Sequence, residues 1–198
     1  MGYTTSFYGE FTIDKPVDEE TYKLLDGLNR TRRMKRSVPL LAKRLKITTA
    51  ECEKLYGTDG EFYIDDIENC GQNKTTDVLD NNRPPCTQPG LWNHWAIGED
   101  RQTLFWDEGE KFYEYIEWIR YLIDTILAPR GYVVNGKVSW EGEDKEDTGQ
   151  ICIENNVIKV LESMIFYVEA ADRPRIEKLI NTYLEESLKE LMDDVLDK

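Results

Sequence analysis

A single histidine, His94, stands in 198 residues, and the four cysteines, Cys52, Cys70, Cys86 and Cys152, never form a Cys-x-x-Cys pair. Zinc centres draw cysteine or histidine ligands in close pairs, so this scarcity argues against a metal site, and no metal ligand is expected. Glycine-rich phosphate loops of the Gly-x-Gly-x-x-Gly or Gly-Lys-Ser/Thr kind are missing, as are a Gly-x-Ser-x-Gly turn and a His-x-x-x-His pair. No catalytic residue and no cofactor is therefore expected. No run approaches 18 uncharged apolar residues, which argues against a membrane-spanning helix. The opening MGYTTSFYGEF alternates polar and aromatic residues without the basic start and apolar core of a secretory signal. A reducing cytoplasm with free thiols is the expected setting, that of the host cell if the chain is phage-encoded.

What the chain has in excess is negative charge, 39 Asp and Glu against 25 Lys and Arg, for a net −14. Such a field repels polyanions, so neither nucleic acid nor an anionic membrane is an expected partner. The charge is uneven. Residues 1–50 hold 10 cations and 6 acids (net +4), residues 51–106 hold 4 and 11 (net −7), and residues 107–198 hold 11 and 22 (net −11). Between Asp26 and Glu51 lie eight cations and no acid: Arg30, Arg32, Arg33, Lys35, Arg36, Lys43, Arg44 and Lys46. The structural reading is that this segment docks on acidic surface of its own chain; the functional one is an anionic ligand or partner.

Hydrophobic periodicity predicts an α+β domain over 1–160, with a long irregular insertion around 66–90 and a helical extension over 161–198. Strands are expected near 3–13, with Gly9 a bulge or bend, then 91–97, 102–106, 131–141 and 150–154. A last strand is expected at 157–160, and Glu61–Asp65 reads as a short one. Asp18 caps a helix over 18–30, and Thr48 or Thr49 one that ends near Leu55. A capping box at Asp107 and Glu110 starts a long helix over 108–127, whose apolar face is Phe112, Ile116, Ile119, Ile123 and Ile126. That order of elements predicts an antiparallel sheet of about five strands with helices on one face, a ferredoxin-like arrangement. The other face must be covered by residues 47–90 or the C-terminal helix, or else serve as a binding surface. Residues 161–170 fit a helix better than a strand, and a clear amphipathic helix follows over 172–197, with a stripe from Ile176 to Val195 that suits the protein's own core or a homodimer.

The candidate binding residues are Arg32, Arg33, Arg36, Arg83, Trp92, His94, Trp95, Glu110, Glu117 and Trp140. All five tryptophans fall within the 49 residues from Trp92 to Trp140, as either a bulky core or a ring-lined surface. His94 has Glu117 or Asp107 as possible dyad partners, although a strand histidine between tryptophans is more often simply packed. Helical spacing of Glu110, Glu114 and Glu117 could hold a divalent cation, yet so acidic a chain produces such pairs by chance.

The runs Arg32–Arg36 (RRMKR), Asn82–Trp92 (NRPP followed by QPGLW), Gly109–Tyr113 with Glu117-Trp118, and Gly131-Tyr132 with Asn135-Gly136 and Trp140–Asp144 are together similar to an uncharacterised family of short bacteriophage and bacterial proteins. The resemblance spans roughly residues 3–160. It implies a phage or mobile-element setting and carries over no functional residue, since no activity is attached to that family. The expected role is a non-enzymatic acidic protein that binds and inhibits a host protein, in a defence or nucleic-acid-processing system whose basic groove the acids would occupy. The alternative is a binder of, or enzyme on, a small anionic nucleotide, using Arg30–Arg36 and the tryptophan-rich surface.

Overall fold

A computed structural model describes residues 2–164 and 169–183. It divides into two compact units, Met1–Ser163 and Met164–Lys198.

In the first unit, strand β1 (Thr5–Ile13) turns Phe7, Phe11 and Ile13 inward and leaves Tyr8 and Glu10 outside, the period of a half-buried strand. Helix α1 (Glu19–Arg30) starts where the Asp18 carboxylate accepts the Thr21 backbone N–H at 2.8 Å, with Glu19 and Glu20 favourably placed in the first turn. An insertion follows: strand β2 (Lys35–Arg36), helix α2 (Val38–Leu45) capped by Ser37, helix α3 (Thr49–Tyr56) capped by Thr48, and strand β3 (Val78–Asp80), which pairs with β2. The chain then forms the hairpin of β4 (Trp95–Ile97) and β5 (Thr103–Trp106), where Asp100 accepts from the backbone of Gln102 and Thr103 in the turn. Helix α4 (Tyr115–Tyr121) continues as a π-helical segment, Leu122–Leu127, before Gly131, in a left-handed conformation, ends the run. Strands β6 (Val134–Gly142), β7 (Thr148–Glu154) and β8 (Val157–Glu162) complete the unit.

The main sheet has six strands in the order β4-β5-β1-β6-β7-β8, every neighbouring pair antiparallel. Its first four members follow the ferredoxin-like order, and β7 and β8 extend it by a meander, so the α+β expectation holds with six strands rather than about five. At the crossing of β1 and β6 a side chain on Gly136 would meet the Glu10 carbonyl at 2.7 Å, and Gly136 sits at φ +135°. Only glycine allows that approach. The β1–β6 register runs unbroken from Thr5↔Gly142 to Ile13↔Val134, so Gly9 makes no bulge there.

Phe7, Phe11, Trp95, Leu104, Val138 and Ile151 from the sheet meet Leu25, Leu28, Trp118, Leu122 and Ile126 from the helices. Each such side chain contributes roughly 1.5–3 kcal/mol on burial. The insertion has a small core of its own, Leu41, Ala42, Cys52 and Tyr63.

Several expected elements change. The long helix over 108–127 is shortened: residues 108–114 are irregular, with Glu108, Lys111 and Glu114 all at positive φ, and α4 begins only at Tyr115. Asp107 does not cap it. Its carboxylate instead accepts from Gly109 N, at 2.8 Å, and from Asn29, at 2.7 Å. Leu91–His94 lie outside the strand that begins at Trp95, and Glu61–Asp65 form no strand. Residues 47–90 do not cover the open face of the sheet. They pack on the helical side, where Ile64 fills the space beside Gly27 and Glu61 meets Tyr121. Tyr8, Phe105 and Leu161 on the opposite face are exposed, at 59%, 38% and 53%. Strand β8 runs to Glu162, so Leu161 is not helical.

In the second unit a helix spans 173–183, close to the expected start at Asp172. Its Leu179, Ile180 and Tyr183 are exposed. The remainder of the predicted stripe, Leu184 to Val195, lies outside the described residues, as do residues 165–168 of the helix expected over 161–170, whose described residues 163, 164, 169 and 170 are not helical.

Candidate functional site

The basic segment is largely consumed inside its own unit. Arg36 Nη1 donates to Asp77 Oδ2 at 2.6 Å, and the two side chains are 6% and 0% exposed. Arg44 approaches the other oxygen of Asp77, Nε to Oδ1 at 2.9 Å, as a charge contact without hydrogen-bond alignment, and donates through Nη1 to Asp65 at 3.0 Å. Both guanidinium groups lie over the Tyr63 ring. Burial acts to raise the Asp77 pKa, but the Thr75 bond and the Arg36 charge outweigh it and hold the carboxyl below its ordinary value. Lys35 pairs with Asp59 and Arg30 with Asp26.

Arg33 is buried without a carboxylate in hydrogen-bond contact. It donates to Thr31 Oγ1, to the carbonyls of Glu61 and Tyr63 and to Gln88 Oε1. Burial pulls its pKa down to about 10, so it keeps its charge at neutral pH. Its neighbour Glu61 accepts from Thr87 Oγ1 at 2.5 Å and from the Tyr121 hydroxyl at 3.1 Å. This network pins the insertion to α4. Arg33 and Arg36 are therefore internal ties rather than exposed binding groups.

Trp95, Trp118 and Trp140 belong to the core. Trp95 Nε1 donates to the Tyr115 carbonyl and Trp140 Nε1 to Asp147. Glu117 is exposed on the first turn of α4, and Arg83 is exposed beside Asp80. Glu110 and Glu114 do not share a helix, so the spacing that could have held a cation is not formed. Among the described residues no three His, Cys, Asp or Glu side chains converge as metal ligands would.

His94 does meet Asp107: Nδ1 lies 3.0 Å from Oδ1 and 3.2 Å from Oδ2. Asn29, which the sequence did not mark, donates to the same carboxylate and to the Asn93 carbonyl. Burial acts to raise the Asp107 pKa; the bonds from His94 and Asn29 prevail and lower it. The arrangement orients an imidazole as an acid–base site would. Among the described residues no side-chain hydroxyl or thiol hydrogen-bonds to the ring, which packs T-shaped against Phe112, 5.1 Å between centroids, and closely against Gly109. The pair fastens the irregular loop to the hairpin.

That loop separates two cavities that share Tyr113. One, about 340 Å³, is lined by Gly90, Leu91, Trp92, Glu110, Lys111 and Tyr113. Arg32 stacks over Trp92 with its guanidinium carbon 5.6 Å from the ring centroid, held by the Asn81 carbonyl at 2.9 Å. Three sequence candidates, Arg32, Trp92 and Glu110, thus gather here. The other cavity, about 300 Å³, combines the rings of Tyr3, Phe112, Tyr113 and Tyr115 with the carboxylates of Glu114, Glu117 and Asp147. Burial, reinforced by Asp147 and Glu117, pushes the Tyr115 hydroxyl up to about 12.

The chain matches no family model, no curated protein and no solved structure.

Proposed function

We propose that this chain is a non-enzymatic, acidic interaction protein whose exposed carboxylates engage a cationic surface of a partner protein. The observation that carries this reading is the inward use of Arg33, Arg36 and Arg44. Those three side chains are spent on buried acids and polar groups, which leaves Arg30, Lys43 and Lys46 as the exposed cations of the most basic stretch, on a chain of net charge −14. Glu114, Glu117 and Asp147 present carboxylates around a cavity whose tyrosines favour a guanidinium or ammonium group, and Glu143, Asp144 and Glu146 are exposed on the adjoining turn. In its finer form, suggested by the motif resemblance, the partner is a host defence or nucleic-acid-processing protein in the cytoplasm. The acids occupy its basic groove and inhibit it, and nucleic acid itself is not bound. No helix among the described residues is long and apolar enough to cross a membrane.

The test is capture from a host lysate on the full chain, followed by titration of the purified partner at two salt concentrations. Affinity that falls steeply with salt supports the reading; salt-independent affinity contradicts it. A homodimer through residues 172–197 is a second reading, favoured by the 62% and 68% exposure of Leu179 and Tyr183. Solution mass with and without residues 172–198 decides it.

A further inference from the structure

Acidic side chains alone select no ligand, but one cavity of the first unit combines them with aromatic rings. Its volume is about 300 Å³, and its wall carries the rings of Tyr3, Phe112, Tyr113 and Tyr115. Aromatic faces attract cations, more strongly where water is partly excluded. Three carboxylates complete the wall, Glu114 and Glu117 at the start of α4 and Asp147 in the turn between β6 and β7. The fold thus assembles the cavity from three stretches that are distant in sequence.

These acids hold no counter-charge. Among the described residues, no lysine or arginine lies within ion-pair distance of Glu114, Glu117 or Asp147. Asp147 accepts instead from two neutral donors, the Tyr3 hydroxyl at 2.6 Å and Trp140 Nε1 at 3.0 Å, which fix its orientation and leave its charge in place. Tyr3 is anchored in turn by the Asp144 backbone N–H, which donates to its hydroxyl at 3.2 Å. Burial first, and then Asp147 and Glu117, push the Tyr115 hydroxyl up to about 12, so the cavity opposes a negative charge and favours a positive one.

Size and hydrogen bonding narrow the cation. The volume lies at the small end of ligand cavities, roughly 300–1,000 Å³, which suits a single side chain. Carboxylates on two separate segments of the wall call for a cation that donates hydrogen bonds, as a quaternary ammonium cannot. An alkyl ammonium is a compact, strongly hydrated point charge. A guanidinium is planar and weakly hydrated, and its forked N–H donors reach carboxylates on more than one side while its face lies against a ring.

We infer that this cavity seats one arginine side chain of a partner protein, stacked on tyrosine and paired with Glu117 and Asp147. The inference rests on the reading of the chain as an acidic interaction protein, and it names the group by which the partner is held.

The experiment is a ¹H–¹⁵N spectrum of the full chain at low salt, titrated with N-acetyl-arginine amide, N-acetyl-lysine amide and tetramethylammonium. The expected result is a saturable shift of the backbone amides of Tyr113–Glu117 and of Asp147 with the arginine amide, a weaker one with the lysine amide and none with tetramethylammonium. Tyr113→Ala, at a residue 55% exposed, should weaken arginine-amide binding about 2- to 5-fold, the range for one exposed cation–π contact. Glu117→Gln, also at an exposed position, should weaken it by about 2- to 5-fold, within the range for an exposed ion pair. Glu53→Gln, an exposed acid on α3 outside the cavity, should leave it unchanged. Lysine-amide or tetramethylammonium binding as tight as that of arginine amide would overturn the assignment, as would shifts spread over the acidic surface and indifferent to Tyr113→Ala and Glu117→Gln. Partner capture separates the two ideas. A partner whose affinity falls with salt, beside an arginine amide that does not bind, overturns the arginine site and leaves the carboxylate reading standing; arginine amide that binds in the cavity, beside a partner indifferent to salt, does the reverse.

Discussion

Replacing Asp77 by Asn tests whether the basic segment is an internal tie. Asp77 is 0% exposed and lies between Arg36 Nη1, 2.6 Å away, and Arg44 Nε, 2.9 Å away. The change keeps the side-chain shape and removes the charge, leaving the 6%-exposed Arg36 guanidinium without its counter-ion. Breaking one partner of a buried pair costs about 3–5 kcal/mol, a fifth or more of the roughly 5–15 kcal/mol that stabilises a typical domain. With a urea slope of about 1–3 kcal/mol/M, the unfolding midpoint at neutral pH should fall by at least about 1 M. The folded-state pKa of Asp77 lies below the ordinary 3.8. Its contribution is therefore complete above that ordinary value and is lost as pH falls through the lower, folded-state one. Wild type and variant should converge in acid. The double variant Arg36→Met, Asp77→Leu should regain most of the loss, because an apolar pair of similar volume carries no desolvation cost. A neutral-pH loss below about 1 kcal/mol for Asp77→Asn would refute the reasoning.

Three further outcomes are expected. Trp118→Ala, at a fully buried site, should cost about 3–5 kcal/mol in denaturant unfolding, as large core truncations do. In alkali, the raised Tyr115 pKa of about 12 means that its protonated form is retained by the fold. Its contribution is full below the ordinary value of 10 and is lost as pH rises through about 12, which absorbance titration should show as a late-ionising tyrosine with stability falling over that interval. Asp107→Ala removes the acceptor of Gly109 N and the partner of His94, so the Gly109 amide should exchange about tenfold faster, in proportion to one lost hydrogen bond.

Elements with a strong local signal were legible in the sequence. The alternation of β1, the Asp18 cap of α1, the β4–β5 hairpin and the β6–β7 hairpin each combine periodicity with turn chemistry, and each forms. The helix over 108–127 was misread because Phe112, Ile116 and Ile119 keep helical spacing across a segment that tertiary contacts unwind. Phe112 packs edge-on against Phe7, Trp95 and His94, and Asp107 is drawn to His94, Asn29 and Gly109 instead of capping. The pairing of β2 with β3 was not legible, since strands of two and three residues carry no period. For the site, the run of cations was visible but its direction was not. That Arg33 and Arg36 point inward depends on Gln88, Glu61 and Asp77, which lie 25 or more residues away. The unpartnered Trp118 N–H leaves no mark in sequence, because a missing partner is a property of three dimensions.

The proposal that exposed carboxylates carry the function is tested most directly by the affinity of a captured protein partner for the full chain at 50 and 300 mM salt, beside a Glu114→Lys, Glu117→Lys, Glu143→Lys variant. The account predicts that affinity for the wild type falls about tenfold or more across that range, and that the variant binds weakly at both concentrations. Equal affinity at both, unchanged in the variant, would contradict it.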